Sequence, residues 1–312
     1  GNIVLTSAVA GSDGIRFGNS GGSATLAATR TVTAGGGGFS QGDLYFRNAT
    51  IDVSTNNYSI NIGGRWDTNN GNDDGTFICR SGTVTFDGNG DQTVDIAETN
   101  TQDFNNILVN KSGGNVEIAT SNITVNGDIN VFNGTFDINN YTATLSGNMN
   151  ATNSGVFSGG GLYYLNANSG VPSINGNTTP IPGSIEINAP GRIYEMSGDL
   201  ALLGNFTLTA GTLDVNDQTL SIGDYQDAAN ISGTLNVSTA SKPGGTLALG
   251  NDTQFVVKPG GIFNLVGTVS QPATLTSTGT SDYLFSVTGT NGNPGTIAAK
   301  HYIVEYIGID GL

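Results

Sequence analysis

Few residues in this chain have the types and spacing that chemistry needs. His301 is the only histidine and Cys79 the only cysteine among 312 residues. A Ser–His–Asp or Cys–His nucleophile would have to use His301. It lies in the apolar, strand-like stretch "HYIVEYIGIDGL", which predicts a structural role. Cys79 follows Phe77-Ile78 and reads as a buried free thiol, since one cysteine forms no internal disulfide. No HExxH or phosphate-loop sequence is present, and no GxSxG stands in a strand-to-helix setting. Glycine-rich stretches such as "AGGGGFSQG" at 34–42 lack the lysine and following helix of a phosphate cradle.

The acids offer two kinds of chemistry. "DGNGDQTVD" sets Asp87, Asn89, Asp91 and Asp95 at near-alternate positions, the first half of a loop presenting hard oxygens to calcium. Asp87, Asn89 and Asp91 are the candidate metal ligands. "DTNNGNDDG" at 67–75 is a weaker version, and neither loop has the closing bidentate glutamate, so a solvated turn is the competing reading. Glycoside hydrolysis needs two carboxylates flanking one bond. Tyr163, Tyr164, Arg192, Tyr194 and Glu195 form the one cluster with that flavour. Asp52, Asp137 and Asp214 instead recur at one place in a repeated phrase, just before a polar corner, which marks them as corner caps. Of the six arginines, Arg16, Arg30, Arg47, Arg65 and Arg80 fall in the first 80 residues at spacings close to one coil; if aligned they would form a basic ladder, and scattered single charges on solvated faces are the competing reading. With an exposed Trp66 they would suit an acidic glycan.

The phrase containing Asp137 is "GTFDINNYTATLSGN" at 134–148. It returns as "GTLDVNDQTLSIGD" at 211–224, and more loosely as "ATIDVSTNNYSINIGG" at 49–64. In each, apolar residues alternate with polar ones, break at a polar corner and resume: Phe136 and Ile138, then Ala143 and Leu145; Leu213 and Val215, then Leu220 and Ile222; Ile51 and Val53, then Ile60 and Ile62. Period two with Asn, Asp and Gly at the breaks predicts strand, corner, strand. Weaker echoes between the copies imply short coils on the order of 15–25 residues each. One such coil cannot bury its apolar side, whereas a stack encloses a continuous core. The expected architecture is all-β: a parallel β-helix (β-solenoid), right-handed, running as one continuous solenoid over 1–312, with 49–64, 134–148 and 211–224 as equivalent segments. Tandem β-sandwiches are the alternative.

Composition narrows the partners. The net charge is −15 and only 11% of residues are charged, which argues against nucleic acid and anionic membrane surfaces. No window is long and apolar enough for a spanning helix, and the start "GNIVLTSAVAGSDG" has no basic leader region. A removed leader or a piece of a longer chain is the expectation. "FDGNGDQTV" at 86–94, "FNNILVNKSGGNVEI" at 104–118 and "VNGDINVFNGTFDINNYTATLSGN" at 125–148 resemble repeats of large secreted surface proteins of Bacteroidota, similar in turn to filamentous adhesins with β-helical shafts. The resemblance implies an extracellular or cell-surface location. The expected function is a non-enzymatic structural or adhesin-like rod segment without a resident cofactor. It would associate end to end or continue into a larger chain, with a glycan as a possible ligand. A carbohydrate-active β-helix enzyme or a glycan-binding module is the alternative.

Overall fold

In the computed structural model, the described residues are 43–46, 49–68, 75–96, 103–177, 179–279 and 282–306. Four earlier strands are also described: Leu5–Thr6, Ile15–Phe17, Gly22–Thr25 and Arg30–Thr33. All the regular structure among them is strand, and the chain is a β-solenoid. It divides into two compact units, 1–159 and 160–312.

In the first unit each coil lays down three strands, one in each of three columns. One column contains Ile60–Ile62, Thr83–Phe86 and the first halves of Asn106–Ile118 and Ile129–Asp137. A second contains Trp66–Asp67, Gln92–Asp95 and the second halves of those long strands. The third contains Ile123–Val125 and Thr142–Leu145. The second unit repeats the plan with strands such as Ser184–Met196, Phe206–Asp214 and Thr219–Tyr225. Among the described residues, every pairing between coils is parallel. The one antiparallel pairing among the described residues is a small hairpin, Gly289↔Pro294 and Thr290↔Asn293. Facing antiparallel layers are absent among the described residues, so the sandwich alternative is discarded.

The register measures the coil. Ile129 pairs with Met149, an advance of 20 residues; Val32 pairs with Ile62, an advance of 30; Phe263 pairs with Ile297, an advance of 34. Many advances fall in the range expected from the sequence, such as Ile107 to Ile129 and Leu200 to Leu220, and the longer ones arise where corners carry insertions that leave the strands aligned. Like stacks on like inside: Phe136 over Phe157 at 6.4 Å, and Phe255 over Phe285 at 5.3 Å with nearly parallel rings. The predicted inward residues of all three phrases are buried, from Ile51 and Val53 to Leu220 and Ile222. The phrases differ in place, however. Segments 134–148 and 211–224 each run from the second half of a long strand into the strand after it. Segment 49–64 runs from the Ala49–Asp52 column into the Ile60–Ile62 column, a different corner of the coil. Its likeness is to strand–corner–strand in general.

The recurring letters now have causes. Gly134 and Gly211 open the two close copies because the backbone there takes φ of 88° and 93°, between the halves of a long strand. Asp137 Oδ1 accepts a hydrogen bond from the Asn139 N–H (2.7 Å), and Asp52 Oδ1 accepts one from Ser54 (2.8 Å). Asn139 and Asn216 sit at φ 51° and 64° in the left-handed region, which Asn tolerates better than most residues. Each reaches back one coil: the Asn139 side-chain amide donates to the Ile118 carbonyl (2.8 Å), and that of Asn216 to the Met196 carbonyl (3.2 Å). Asp214 departs from its counterparts, accepting from the Asn236 amide (2.6 Å), which in turn accepts from Asn264 (2.7 Å).

Replacing Asn139 or Asn216 with Ala forces an ordinary side chain into positive φ and strips a donor from a carbonyl one coil back. Each substitution is expected to cost about 2 kcal/mol, read by urea denaturation. Asn→Gly at the same positions should cost less, since only the side-chain hydrogen bonds are lost.

Candidate functional site

Two polar groupings stand out, both in the first unit. The first is a buried aspartate–arginine ladder. Tyr45, Asp67 and Asp95 occupy matching positions in three successive coils. Asp43, Asp67 and Asp95 are 4%, 2% and 7% exposed. The Arg65 guanidinium bonds to Asp95 Oδ2 through Nη2, and its Nε lies 3.6 Å from Asp67 Oδ2. The Arg65 backbone N–H donates to Asp43 Oδ1 (2.6 Å), and the Tyr45 hydroxyl donates to Asp43 Oδ2 (3.0 Å). Thr120 Oγ1, one coil further on, lies 3.0 Å from Asp95 Oδ1. Burial, aided by Asp43, pushes the Tyr45 phenol up to about 12. Burial works against the Arg65 charge, yet Asp67 and Asp95 hold its pKa above the ordinary arginine value.

This grouping has the acids, arginine and aromatic ring that sugar chemistry uses. Its arginine is engaged with two of the carboxylates, and the Asp67 and Asp95 side chains are only 3% and 11% exposed. What the arrangement does in the fold is clamp one coil to the next. No short motif announces it. The signal was the spacing of Tyr45, Asp67 and Asp95 by about one coil each, which becomes meaningful only when the register is known.

The second grouping occupies the turn read as a calcium loop. Lys111, at the bend of Asn106–Ile118, is 3% exposed and points its ammonium into the turn one coil earlier. Nζ donates to the carbonyls of Gly88 (2.9 Å) and Gly90 (2.8 Å) and to Gln92 Oε1 (2.6 Å). Gln92 passes the linkage on, its amide donating to the carbonyls of Ile62 (2.8 Å) and Gly64 (2.7 Å). Asn89 Oδ1 accepts from the Ser112 hydroxyl (2.7 Å), and Asp91 Oδ1 from the Asn115 N–H (2.9 Å). Asp87 is exposed. The Gly88 and Gly90 carbonyls and Gln92 therefore face an amino group of the protein itself, while Asn89 and Asp91 bond to Ser112 and Asn115. Among the described residues, no three His, Cys, Asp or Glu side chains are grouped to hold a metal. Most of the second acidic stretch, 69–74, lies outside the described residues.

The other sequence candidates are not brought together. Tyr163 and Tyr194 are core residues, the Tyr194 hydroxyl accepting from the Ala167 N–H (3.0 Å). Tyr164 accepts from the Asn188 amide (2.9 Å), Glu195 lies 3.7 Å from Lys242, and Arg192 is exposed. Trp66, which a glycan-binding module would need on the surface, is fully buried against Phe77 and Phe104 at 4.9 and 5.2 Å. The reason is its place in register with Leu44 and Val94 of the core column. Arg65 and Arg80 do not align in a basic ladder: the first serves the buried aspartates and the second clasps Asp52 at 2.6 and 2.8 Å. Arg47 and the side chains of Arg16 and Arg30 lie outside the description. His301 is exposed at a corner, at φ 50°.

Arg65→Met leaves buried carboxylates without their counter-charge and is expected to cost about 3–5 kcal/mol in urea denaturation. Adding Asp95→Asn to that variant should recover part of the loss, as a double-mutant cycle would register. Lys111→Met deprives the Gly88 and Gly90 carbonyls and Gln92 of their donor, an expected loss of about 2–3 kcal/mol near pH 7. Burial pushes the Lys111 pKa down to about 8, against the opposing pull of Asp91 and Asp87. Between that pH and the ordinary lysine value of 10.5 the unfolded chain holds more protons. Stability from this group therefore rises with pH across the window, and the gap between wild type and Lys111→Met should widen from pH 7 to pH 10. No family, curated protein or solved structure matches the chain.

Proposed function

We propose that the chain is a non-enzymatic structural module, an adhesin-like solenoid segment that works on the cell surface or outside the cell and needs no cofactor. The observation that carries this reading is the use made of the polar side chains. Residues with catalytic or ligand chemistry, Asp43, Arg65, Asp95, Lys111 and Gln92, bond from one coil to the next. The exposed amides do the same: Asn133 donates to Asn110 (3.1 Å) and accepts from the Ser154 hydroxyl (2.9 Å). Side chains bonded this way stiffen a stack and resist its separation. The repeats' resemblance to surface proteins of Bacteroidota supports the location.

Incubation with a panel of neutral and acidic polysaccharides tests the reading. No reducing or unsaturated sugar ends should appear, and calcium or a chelator should leave the melting temperature unchanged. Sugar release that disappears in Asp67→Asn or Asp95→Asn, with the fold intact, would replace the structural reading with an enzymatic one.

A further inference from the structure

The Lys111 amine and the Gln92 side chain, on neighbouring coils, have a chemistry beyond the hydrogen bonds described above. They are 3% and 1% exposed. Nζ lies 2.6 Å from Gln92 Oε1, so it stands at most about 3.8 Å from the amide carbon Cδ, since the C=O bond adds about 1.2 Å. An amine at that distance from an amide carbon is close to the separation from which acyl transfer starts. The Gln92 amide is held at both ends. Its oxygen also accepts from the Gly88 N–H (2.9 Å), a donor that remains in place when the amine moves off the oxygen and that stabilises negative charge there. Its nitrogen is tied to the Ile62 and Gly64 carbonyls. The next coil presses on the lysine stem: a Cβ added at Gly134 would stand 2.9 Å from Lys111 Cβ.

An ammonium has three donors, and three acceptors use them here. Once Nζ loses a proton, two N–H groups remain and a lone pair takes the third direction. Carbonyl oxygens repel a lone pair, whereas Cδ, whose oxygen the Gly88 N–H polarises, receives it. Burial already pushes the Lys111 pKa down to about 8, so the neutral amine forms in mildly alkaline solution. The geometry points to a self-modification: Lys111 and Gln92 close an isopeptide bond that joins neighbouring coils. Nζ bonds to Cδ, the Cδ–Nε2 bond breaks, and the amide nitrogen leaves as ammonia. The amine gives up one proton and the departing nitrogen gains one. That proton passes through Asp91 or Asp87, the carboxylates whose charges act on Lys111. The bond stands apart from the structural-module reading, since it alters the chain itself and not a ligand.

Peptide mapping by tandem mass spectrometry tests it on the folded chain of 312 residues, held above the Lys111 pKa. A branched peptide should appear that joins the Lys111 segment to the Gln92 segment and is lighter than the two together by one ammonia. Closure should quicken as pH rises through about 8 and then level off. Lys111→Arg keeps a cation with several donors at the site but has no amine to acylate, so it should fold and give no branch. Asp87→Asn combined with Asp91→Asn should slow closure by about a hundredfold. A succinimide at Asn89-Gly90 also sheds ammonia, but it leaves no branch and persists in Lys111→Arg. Recovery of Lys111 and Gln92 only in unbranched peptides after alkaline incubation, or branching that persists in Lys111→Arg, would overturn the isopeptide. The linked and unlinked forms differ in mass, so the denaturation comparison with Lys111→Met refers to the unlinked chain.

Discussion

Everything in this fold depends on one constraint: a parallel strand pairs residue for residue with its equivalent one coil away, and a one-residue slip would turn its core side chains to water. The alignment Ile107↔Ile129↔Met149 is one expression of it, and Leu220↔Leu247↔Leu275 is another. Because register is held at the strands, length can vary at the corners. Advances of 20 and 34 residues therefore coexist in one architecture.

The corners and bends have to meet that constraint with local chemistry. Positive φ is needed at Gly134, Asn139, Gly211 and Asn216, and the asparagines add a bond back to the coil before. A carbonyl at a solenoid corner has lost the regular ladder, so a side-chain amide from the next coil replaces the missing donor. Lys111 does this for three acceptors at once and Gln92 for two carbonyls. The Arg65 cluster handles a harder problem, several carboxylates withdrawn from water with one guanidinium among them. Buried ion pairs of this kind add little net stability over an apolar core, but breaking one is costly.

The same principle governs the proposed role. A polar residue committed to holding coils together is a poor candidate for turning over a substrate, which needs access and freedom to change protonation.

The chain's letters by themselves determined the class of fold. Alternation of Phe136, Ile138, Ala143 and Leu145 around an Asn-Asn break is a local property, and it specifies strand and corner without knowledge of any neighbour. The capping role of Asp52 and Asp137 was legible for the same reason, since donor and acceptor lie two residues apart. What lay beyond reading was whatever depends on which coil lies against which. A glycan-binding module would have needed Trp66 at the surface, and only alignment with Leu44 and Val94 shows it inside. "DGNGDQTVD" carries the first oxygens of a cation loop, but what bonds to its Gly88 and Gly90 carbonyls and to Gln92 is the amino group of Lys111, about one coil onward. Asp43, Arg65 and Asp95 are separated by dozens of residues and become a cluster only through register. Sequence periodicity specifies how a coil turns; the partner of each side chain is set by coil length, which varies at the corners and which only the stacked structure reveals.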